Sequence, residues 1–494
     1  MILCKNMNKG KTKVLWELLE SRLLQYPDST ISDEINYMTY LEIVREVDRI
    51  SKSISSGQSG TVIGILCNSE FNTAIALMSL LKAKKTAVLL SSRYGENHCR
   101  KIIDFIKPSC IITDCPDNSI LVNYDLSIYL VNQCRYLKLE QYPAHDMPKD
   151  LAAIMCTSGT TGTPKGAMIT ESNLVNNLLD IEQYFNIKQA DSILIARPLY
   201  HAAVMTGEFL ISILKGVDIR FYNGEFNPVR VIEVMQKYAI TVFCATPTLI
   251  YHISRIVLRF SNPLPIRVIA VSGECMTGIV AELTRKAFPS AAIYSVYGLT
   301  EASPRVSYLP PELFDDHPLS IGYPLQSVSA KIVDDDGNTL APYKDGELIV
   351  AAPSVMLGYY QNAVATSQAI RNGWLHTGDI AYMDDDGLIY IKSRKDAMVI
   401  RAGMNIYPQE IENVLKIESG ITDALVYGLK DEIVGQKIML KLVVNNPAIS
   451  KQEVYEICRQ KLPSYQIPDS VEFVNYLEKN GSGKLVRPKY VGAN

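Results

Sequence analysis

Thr157-Ser-Gly-Thr-Thr-Gly-Thr-Pro-Lys165-Gly166 follows the apolar run Ala152-Ala-Ile-Met-Cys156 and packs backbone donors, hydroxyls and one ammonium into a short stretch. Glycines let a main chain approach an anion and take left-handed dihedrals, so successive N–H groups converge on phosphate oxygens while Ser and Thr hydroxyls add donors. Lys165 supplies the charge. The Walker pattern G-x-x-x-x-G-K-[ST] fits poorly. Gly159 has a lysine six positions on, but Pro164 stands where the second glycine belongs and Gly166 where the magnesium-binding hydroxyl belongs. On these residues alone the stretch reads as a polyphosphate cradle or as an ordinary Ser/Thr/Gly loop between a strand and a helix.

Outward from it, short β-branched runs alternate with amphipathic stretches. Strand-like Thr61–Leu66, Ala87–Leu90 and Cys110–Thr113 are separated by helical Asn72–Leu81 and Arg100–Ile106. The rhythm resumes with Ser192–Ala196, Asp218–Tyr222, helical Pro228–Tyr238 and Val242–Ala245. It predicts βαβ units with parallel strands. Beyond about residue 320 the texture changes to short strands broken by Asp-Gly turns, at Asp334–Gly337 and Asp384–Gly387, as in a small β-barrel or meander. After Ser393-Arg-Lys-Asp396 a mixed segment begins, with helical Pro408–Leu415 and Lys451–Lys461 and strand-like Asp423–Tyr427 and Lys437–Val444. The expected fold is α/β: a large N-terminal domain over 1–393 of βαβ-type subdomains with a barrel-like part about 320–393, a hinge at 394–396, and a small mobile α+β C-terminal domain over 397–494.

The chain has 494 residues, 47% hydrophobic and 20% charged, with a formal net charge of −3. That length needs several cores, and the balance gives no reason to expect nucleic acid or a membrane as partner. The 10 cysteines are scattered without a Cys-x-x-Cys pair, several within apolar runs, and read as small buried hydrophobes in a reducing compartment rather than zinc ligands. Val14–Leu24 carries charges at helical spacing, which excludes a signal-peptide core, and Lys82, Lys84 and Lys85 interrupt the best apolar stretch. A cytoplasmic protein is expected.

Four further stretches carry chemistry. Tyr297-Gly-Leu-Thr-Glu301 follows the strand-like Ala292–Val296 and puts an aromatic, a hydroxyl and a carboxylate at a strand end, where open α/β sheets bind ligands. Trp374-Leu-His-Thr-Gly-Asp379 ends in a carboxylate, Arg394 lies in the Ser393–Gly403 run, and Asn480-Gly-Ser-Gly-Lys484 precedes Arg487. Taken singly, each is equally an ordinary turn, a helix start or a solvated surface charge.

In order along the chain, with a lead-in at Met38-Thr-Tyr-Leu-Glu42, these strings resemble the signatures of the adenylate-forming superfamily. It holds acyl- and aryl-CoA synthetases, nonribosomal peptide adenylation domains and beetle luciferases. The resemblance implies that Thr157, Ser158, Gly159, Thr160, Thr161, Gly162 and Lys165 hold ATP phosphates. It likewise implies that Ser272, Gly273, Glu274, Val296 and Tyr297 face the nucleotide, with Tyr297 against adenine. By the same resemblance Thr300 meets the α-phosphate, Glu301 holds Mg2+, Asp379 and Arg394 reach the ribose, Asp396 is the hinge and Lys484 is the catalytic cation for adenylation. Met404–Glu412 is similar to the start of the small domain's first helix in acyl-CoA synthetases, where Pro408 and Glu410 suit structure.

The acid pocket is expected along Arg197–Glu208, Ser272–Glu274 and Ala302–Ser303. α-Amino-acid adenylation domains carry a Phe-Asp pair where this chain has Tyr200-His201, so an aryl or medium acyl acid is expected instead. Ala202, Met205, Gly207, Gly298, Ala302 and Ser303 make a mostly apolar wall. His201 either closes over the carboxylate or packs, and Glu208 either starts a helix or receives a distal amino or hydroxyl group. Ile400 stands where luciferases have a lysine. The expected reaction is activation of a carboxylic acid to an acyl-adenylate with release of pyrophosphate, then transfer to the thiol of CoA or of carrier-protein phosphopantetheine. The alternatives are a stand-alone enzyme loading a carrier in nonribosomal peptide synthesis, and a non-catalytic nucleotide-binding relative.

Overall fold

The computed structural model describes residues 14–488 except 57–60, 92, 94, 116–118, 122–125, 132–133, 140–146, 149, 158–163, 261–262, 402–403, 432–433, 447–448 and 480–484. The parallel rhythm of the sequence becomes two large sheets. The first runs, in spatial order, through Tyr323–Pro324, Arg305–Leu309, Ala292–Gly298, Val268–Ser272, Val242–Ala245, Ser192–Ile195, Asp218–Phe221, Thr30–Ser32 and Tyr37–Thr39. The second runs through Gly358–Tyr359, Lys165–Thr170, Leu151–Thr157, Thr86–Leu89, Val62–Ile65, Cys110–Thr113, Cys134–Leu139 and Leu126–Val131. Both have parallel centres and antiparallel margins.

Their strands are apolar on both faces because both faces are covered. Ile193 and Ile195 join the core between the sheets, whereas Leu194 and Ala196 join a separate core on the outer face. Val242 and Cys244 divide from Phe243 and Ala245 in the same way. The middle layer holds helices Leu15–Gln25, Tyr40–Ser56, Glu70–Lys82 and Glu171–Tyr184. Glu70–Lys82 is buried over most of its circumference, as a helix pressed between two sheets must be. Helices Pro228–Lys237, Pro247–Phe260 and Gly278–Ala287 cover the outer face of the first sheet, and Glu96–Ile106 that of the second.

Ser329–Val333, Gly346–Ala351, Ile370–Arg371, Trp374–Met383 and Ile389–Arg394 form the antiparallel sheet expected from the Asp-Gly turns, around its own core of Val306, Leu348, Val350 and Ala381. Residues beyond it build a short hairpin, Val399–Arg401 with Met404–Ile406, and a three-stranded sheet of Ile421–Asp431, Gly435–Val444 and Ser470–Phe473. Helices Pro408–Lys416 and Lys451–Lys461 pack on that sheet over a fourth, independent core. Among the described cysteines, Cys67, Cys99, Cys110, Cys156, Cys244 and Cys458 are buried, while Cys275 is exposed. Burial pushes the thiols of Cys156 and Cys244 up to about 12.

The C-terminal unit has one buried ion pair at its centre. Glu412 is 3% exposed, accepts the Val426 amide at 2.7 Å and receives Arg487 Nη2 at 2.9 Å. Removing the guanidinium leaves a buried carboxylate without its counter-charge, a loss of about 3 kcal/mol or more. Arg487→Gln is expected to lower the unfolding free energy of this unit by that amount, read as an earlier urea transition in far-ultraviolet circular dichroism.

Candidate active site

The stretch Ser158–Thr163, including the expected phosphate ligands Ser158, Gly159, Thr160, Thr161 and Gly162, lies outside the described residues; its flanks do not. Thr157 pairs with Lys165 across antiparallel strands, so the loop is the turn of a hairpin and not a strand-to-helix connection. The helix comes one strand later, at Glu171–Tyr184, behind a capping box of Thr170 and Asn173. The hairpin delivers Lys165 beside the ring of Tyr359, with Nζ 5.3 Å from its centroid.

Tyr359 was not singled out from the sequence, and it joins two signatures. Its hydroxyl donates to Glu301 Oε1 at 2.7 Å. The backbone around it does the same work: Met356 N–H donates to the Glu301 carbonyl at 2.8 Å, Leu357 N–H to Met168 O at 2.9 Å and Tyr360 N–H to Gly166 O at 2.7 Å. The weak sequence signal was the Gly358-Tyr-Tyr360 string after an apolar run, with Gly358 at φ +144°.

Glu301 sits in a single turn, Thr300–Ala302, reached from the end of strand Ala292–Gly298. Gly298 is required there, since a Cβ would lie 2.2 Å from the Pro304 carbonyl oxygen. Val296 is buried and Tyr297 half-buried. The Tyr297 hydroxyl donates to Asp379 Oδ2, and burial, then the Asp379 charge, raise this phenol well above its ordinary value.

Asp379 and Arg394 are cross-strand partners on the hairpin closed by the Asp384–Gly387 turn, beyond a register shift between Ile380 and Ala381. Arg394 Nη1 reaches Asp379 Oδ1 at 3.3 Å and the Thr377 carbonyl at 2.9 Å, and its Nε lies 3.5 Å from Asp396 Oδ1. The same guanidinium pulls on the phenols of both Tyr297 and Tyr359, which joins the two clusters electrostatically. Lys165, Tyr359, Glu301, Tyr297, Asp379 and Arg394 thus converge where parallel strands end. Lys484 lies outside the described residues, as does all of 480–484.

The expected acid-pocket residues also gather at strand ends. Ala202, Met205, Gly207, Glu208, Ala302 and Ser303 are buried, whereas Gly298 is exposed. His201 is half-buried, precedes the short helix Ala202–Val204 and stands edge-on to Tyr200 at 5.5 Å. The Tyr200 hydroxyl meets His98 Nε2 at 3.0 Å and the Cys156 carbonyl at 3.1 Å, tying the pocket to the strand before the phosphate loop. Gly273 has φ +97°, and Glu274, exposed, accepts from the Thr248 hydroxyl at 2.9 Å. Glu208 does not start a helix. It lies within a π-helical turn, Met205–Leu210, fully buried and paired with Arg197, which also reaches the Ser272 hydroxyl at 3.3 Å. The wall is therefore less apolar than the small residues implied.

This is a two-part α/β protein that gathers a cation, two carboxylates and a guanidinium at its strand ends, equipment suited to a phosphorylated ligand. The chain belongs to the adenylate-forming, AMP-binding enzyme family: the AMP-binding enzyme model matches residues 19–360, and that of the AMP-binding enzyme C-terminal domain matches residues 410–484. It is 37% identical over 347 residues to a long-chain-fatty-acid–CoA ligase of Salmonella typhimurium, covering 69% of this chain and 61% of the relative's length. It is 28% identical over 457 residues to a 2-succinylbenzoate–CoA ligase of Bacillus pumilus, covering 91% and 92%. The o-succinylbenzoate CoA synthetase of Bacillus subtilis, solved with its acyl-adenylate intermediate, superposes with a TM-score of 0.84 at 27% identity, covering 98% of this chain and 99% of that one. Among the described residues no helix is long and apolar enough to cross a membrane.

The Tyr359–Glu301 bond gives a pH-dependent test. Burial, then the Glu301 charge, raise the Tyr359 phenol above its ordinary value, so its stabilising contribution is complete below about pH 10 and falls as the pH rises further and the unfolded chain ionises first. Tyr359→Phe is expected to cost about 2 kcal/mol in urea unfolding at pH 8, and the gap to the parent should narrow at pH 11.

Proposed function

We propose that the chain uses ATP to activate a carboxylic acid as its acyl-adenylate, releasing pyrophosphate, and then transfers the acyl group to the thiol of coenzyme A. The observation that carries this reading is the continuous link from Lys165 through Tyr359 to Glu301, with Tyr297, Asp379 and Arg394 beside it. An ammonium for phosphates, a carboxylate for a hard cation and a carboxylate–guanidinium pair for a diol stand at one strand edge. The preference for coenzyme A over a carrier protein draws support from the relatives, which are named as CoA ligases.

In this reading Lys165 and the Thr157–Gly162 loop neutralise and orient the β- and γ-phosphates, and Thr300 donates to the α-phosphate. Glu301 suits Mg2+: a single hard carboxylate, with one oxygen held by Tyr359, matches an ion that takes most of its other ligands from phosphates and water. Asp379 accepts from the ribose hydroxyls in exchange for the Tyr297 hydroxyl, while Arg394 pairs with its carboxylate and aims it. Tyr297 then turns its ring to adenine, flanked by Val296, Ser272, Gly273 and Glu274. The acid's carboxylate oxygen attacks the α-phosphorus, a new P–O bond forms and the bond to the bridging oxygen breaks, so pyrophosphate leaves with its electron pair. Lys484 neutralises the charge that builds there. The thiolate next attacks the acyl carbonyl and AMP departs. His201 borders the carboxylate at the mouth of the acid pocket.

We assign residues 1–393 to the adenylating domain, 394–396 to the hinge and 397–494 to a mobile domain that brings Lys484 in for the first step and turns about Asp396 for the second. The acid is aryl or medium acyl, and the setting is the cytoplasm.

Acid-dependent exchange of labelled pyrophosphate into ATP tests the first step, and a panel giving no exchange with any acid removes the proposal. With an accepted acid, acylation of coenzyme A and not of a holo-carrier protein is expected. Lys484→Ala should abolish exchange while ATP binding, followed by calorimetry, stays within about threefold; normal pyrophosphate release by that variant removes the role of Lys484.

A further inference from the structure

Nine buried polar side-chain atoms among the described residues lack a hydrogen-bond partner, and four of them fall on two short segments at the acid pocket: Arg197 Nε, Thr206 Oγ1, Glu208 Oε2 and Ser303 Oγ. A buried polar atom left unpaired is costly, so four of them on these segments require an explanation. Thr206 and Glu208 are 0% exposed and Ser303 1% exposed, so none of these three is satisfied by bulk water.

The backbone is shaped around them. Met205–Leu210 is a π-helical turn, a wide conformation found mostly at functional sites, and it swings Glu208 inward to Arg197. Gly207 allows Arg305 against this turn, because a Cβ there would lie 2.6 Å from Arg305 Nε. Arg305 is itself committed, donating to the Gly207 carbonyl at 2.7 Å and to the Tyr184 hydroxyl. Arg197 lies under the end of strand Val268–Ser272: its Nη2 reaches Ser272 Oγ at 3.3 Å, and a Cβ on Gly273 would stand 3.8 Å from its Nη1.

The contact between Arg197 and Glu208 is single, from Nη2 to Oε1. A bidentate pair would use Nε and Oε2 as well. Here one donor and one acceptor are left over on a pair whose charges already cancel. We propose that this couple reads the far end of the acid, and that the substrate is a hydroxylated carboxylic acid whose distal hydroxyl accepts from Arg197 Nε–H and donates to Glu208 Oε2. A plain alkyl or aryl end leaves both atoms unpaired. A second carboxylate accepts from Arg197 but sets its charge against Glu208. A hydroxyl satisfies both. The inference rests on the acid-activation reading above and gives it a substrate class.

Pyrophosphate exchange with matched series tests it: benzoic, 3- and 4-hydroxybenzoic and isophthalic acids, and hexanoic, 6-hydroxyhexanoic and adipic acids. Pairing the leftover donor and acceptor is expected to raise kcat/KM at least tenfold for a hydroxylated member over both the unsubstituted and the dicarboxylic member of its series. Glu208→Gln, which replaces the acceptor with an amide donor, should collapse that ratio and favour the dicarboxylic member. Ser303→Ala provides a second, milder reduction, and the ratio in the parent protein decides even if Glu208→Gln does not fold. Unsubstituted or dicarboxylic acids exchanging as well as hydroxylated ones overturns the inference and leaves acid activation standing. Exchange with no acid in either series overturns both.

Discussion

The site depends on a short segment that belongs to no signature. Residues 356–360 hydrogen-bond to the turn that carries Glu301 and to the strand that carries Lys165, through Met356, Leu357 and Tyr360 amides. Those bonds are main-chain bonds between two parts of the fold: the turn after the Ala292–Gly298 strand of the first sheet and the hairpin at the margin of the second. They fix the spacing of the two backbone segments that carry a cation and a carboxylate. The tyrosine hydroxyl then adds orientation, since a carboxylate accepting a buried hydrogen bond loses rotational freedom that a catalytic ligand would otherwise surrender on binding.

The second cluster is built by a different rule. Asp379 meets Arg394 because hairpin register makes them neighbours, the Asp-Gly turn and the register shift at Ile380/Ala381 together fixing that pairing. Tyr297 joins from another sheet. Its hydroxyl donates to Asp379. That bond keeps the buried carboxylate satisfied, and in the proposed reading a diol takes its place, which lowers the desolvation cost of binding.

What was legible in the sequence follows from these physics. Strands such as Ser192–Ile195 and Val242–Ala245 announced themselves because burial on two faces demands uninterrupted apolar residues. The charged residues of the site were legible only as strings in order, and that order brought them to one edge. Tyr359 was not legible, because its importance is a contact between residues 58 positions apart and the amides around it carry no side-chain signature. Glu208 was left between a helix start and a polar contact for a related reason. A carboxylate after a glycine resembles a helix start, and nothing local reveals that the turn widens and that an arginine 11 residues earlier folds back onto it.

These two halves of the site are held to different standards of permanence. Lys165 and Glu301 stand on segments positioned by main-chain bonds, which most substitutions leave intact. Arg197 against Glu208, with Ser272 beside them, is held by side chains alone, on a helix that widens into a π-turn. A change of one residue there alters which groups are left unpaired, and with them the acid that fits, while the phosphate end keeps its geometry. In the proposed reading, that separation lets the acid end vary on one backbone framework while the phosphate end stays fixed.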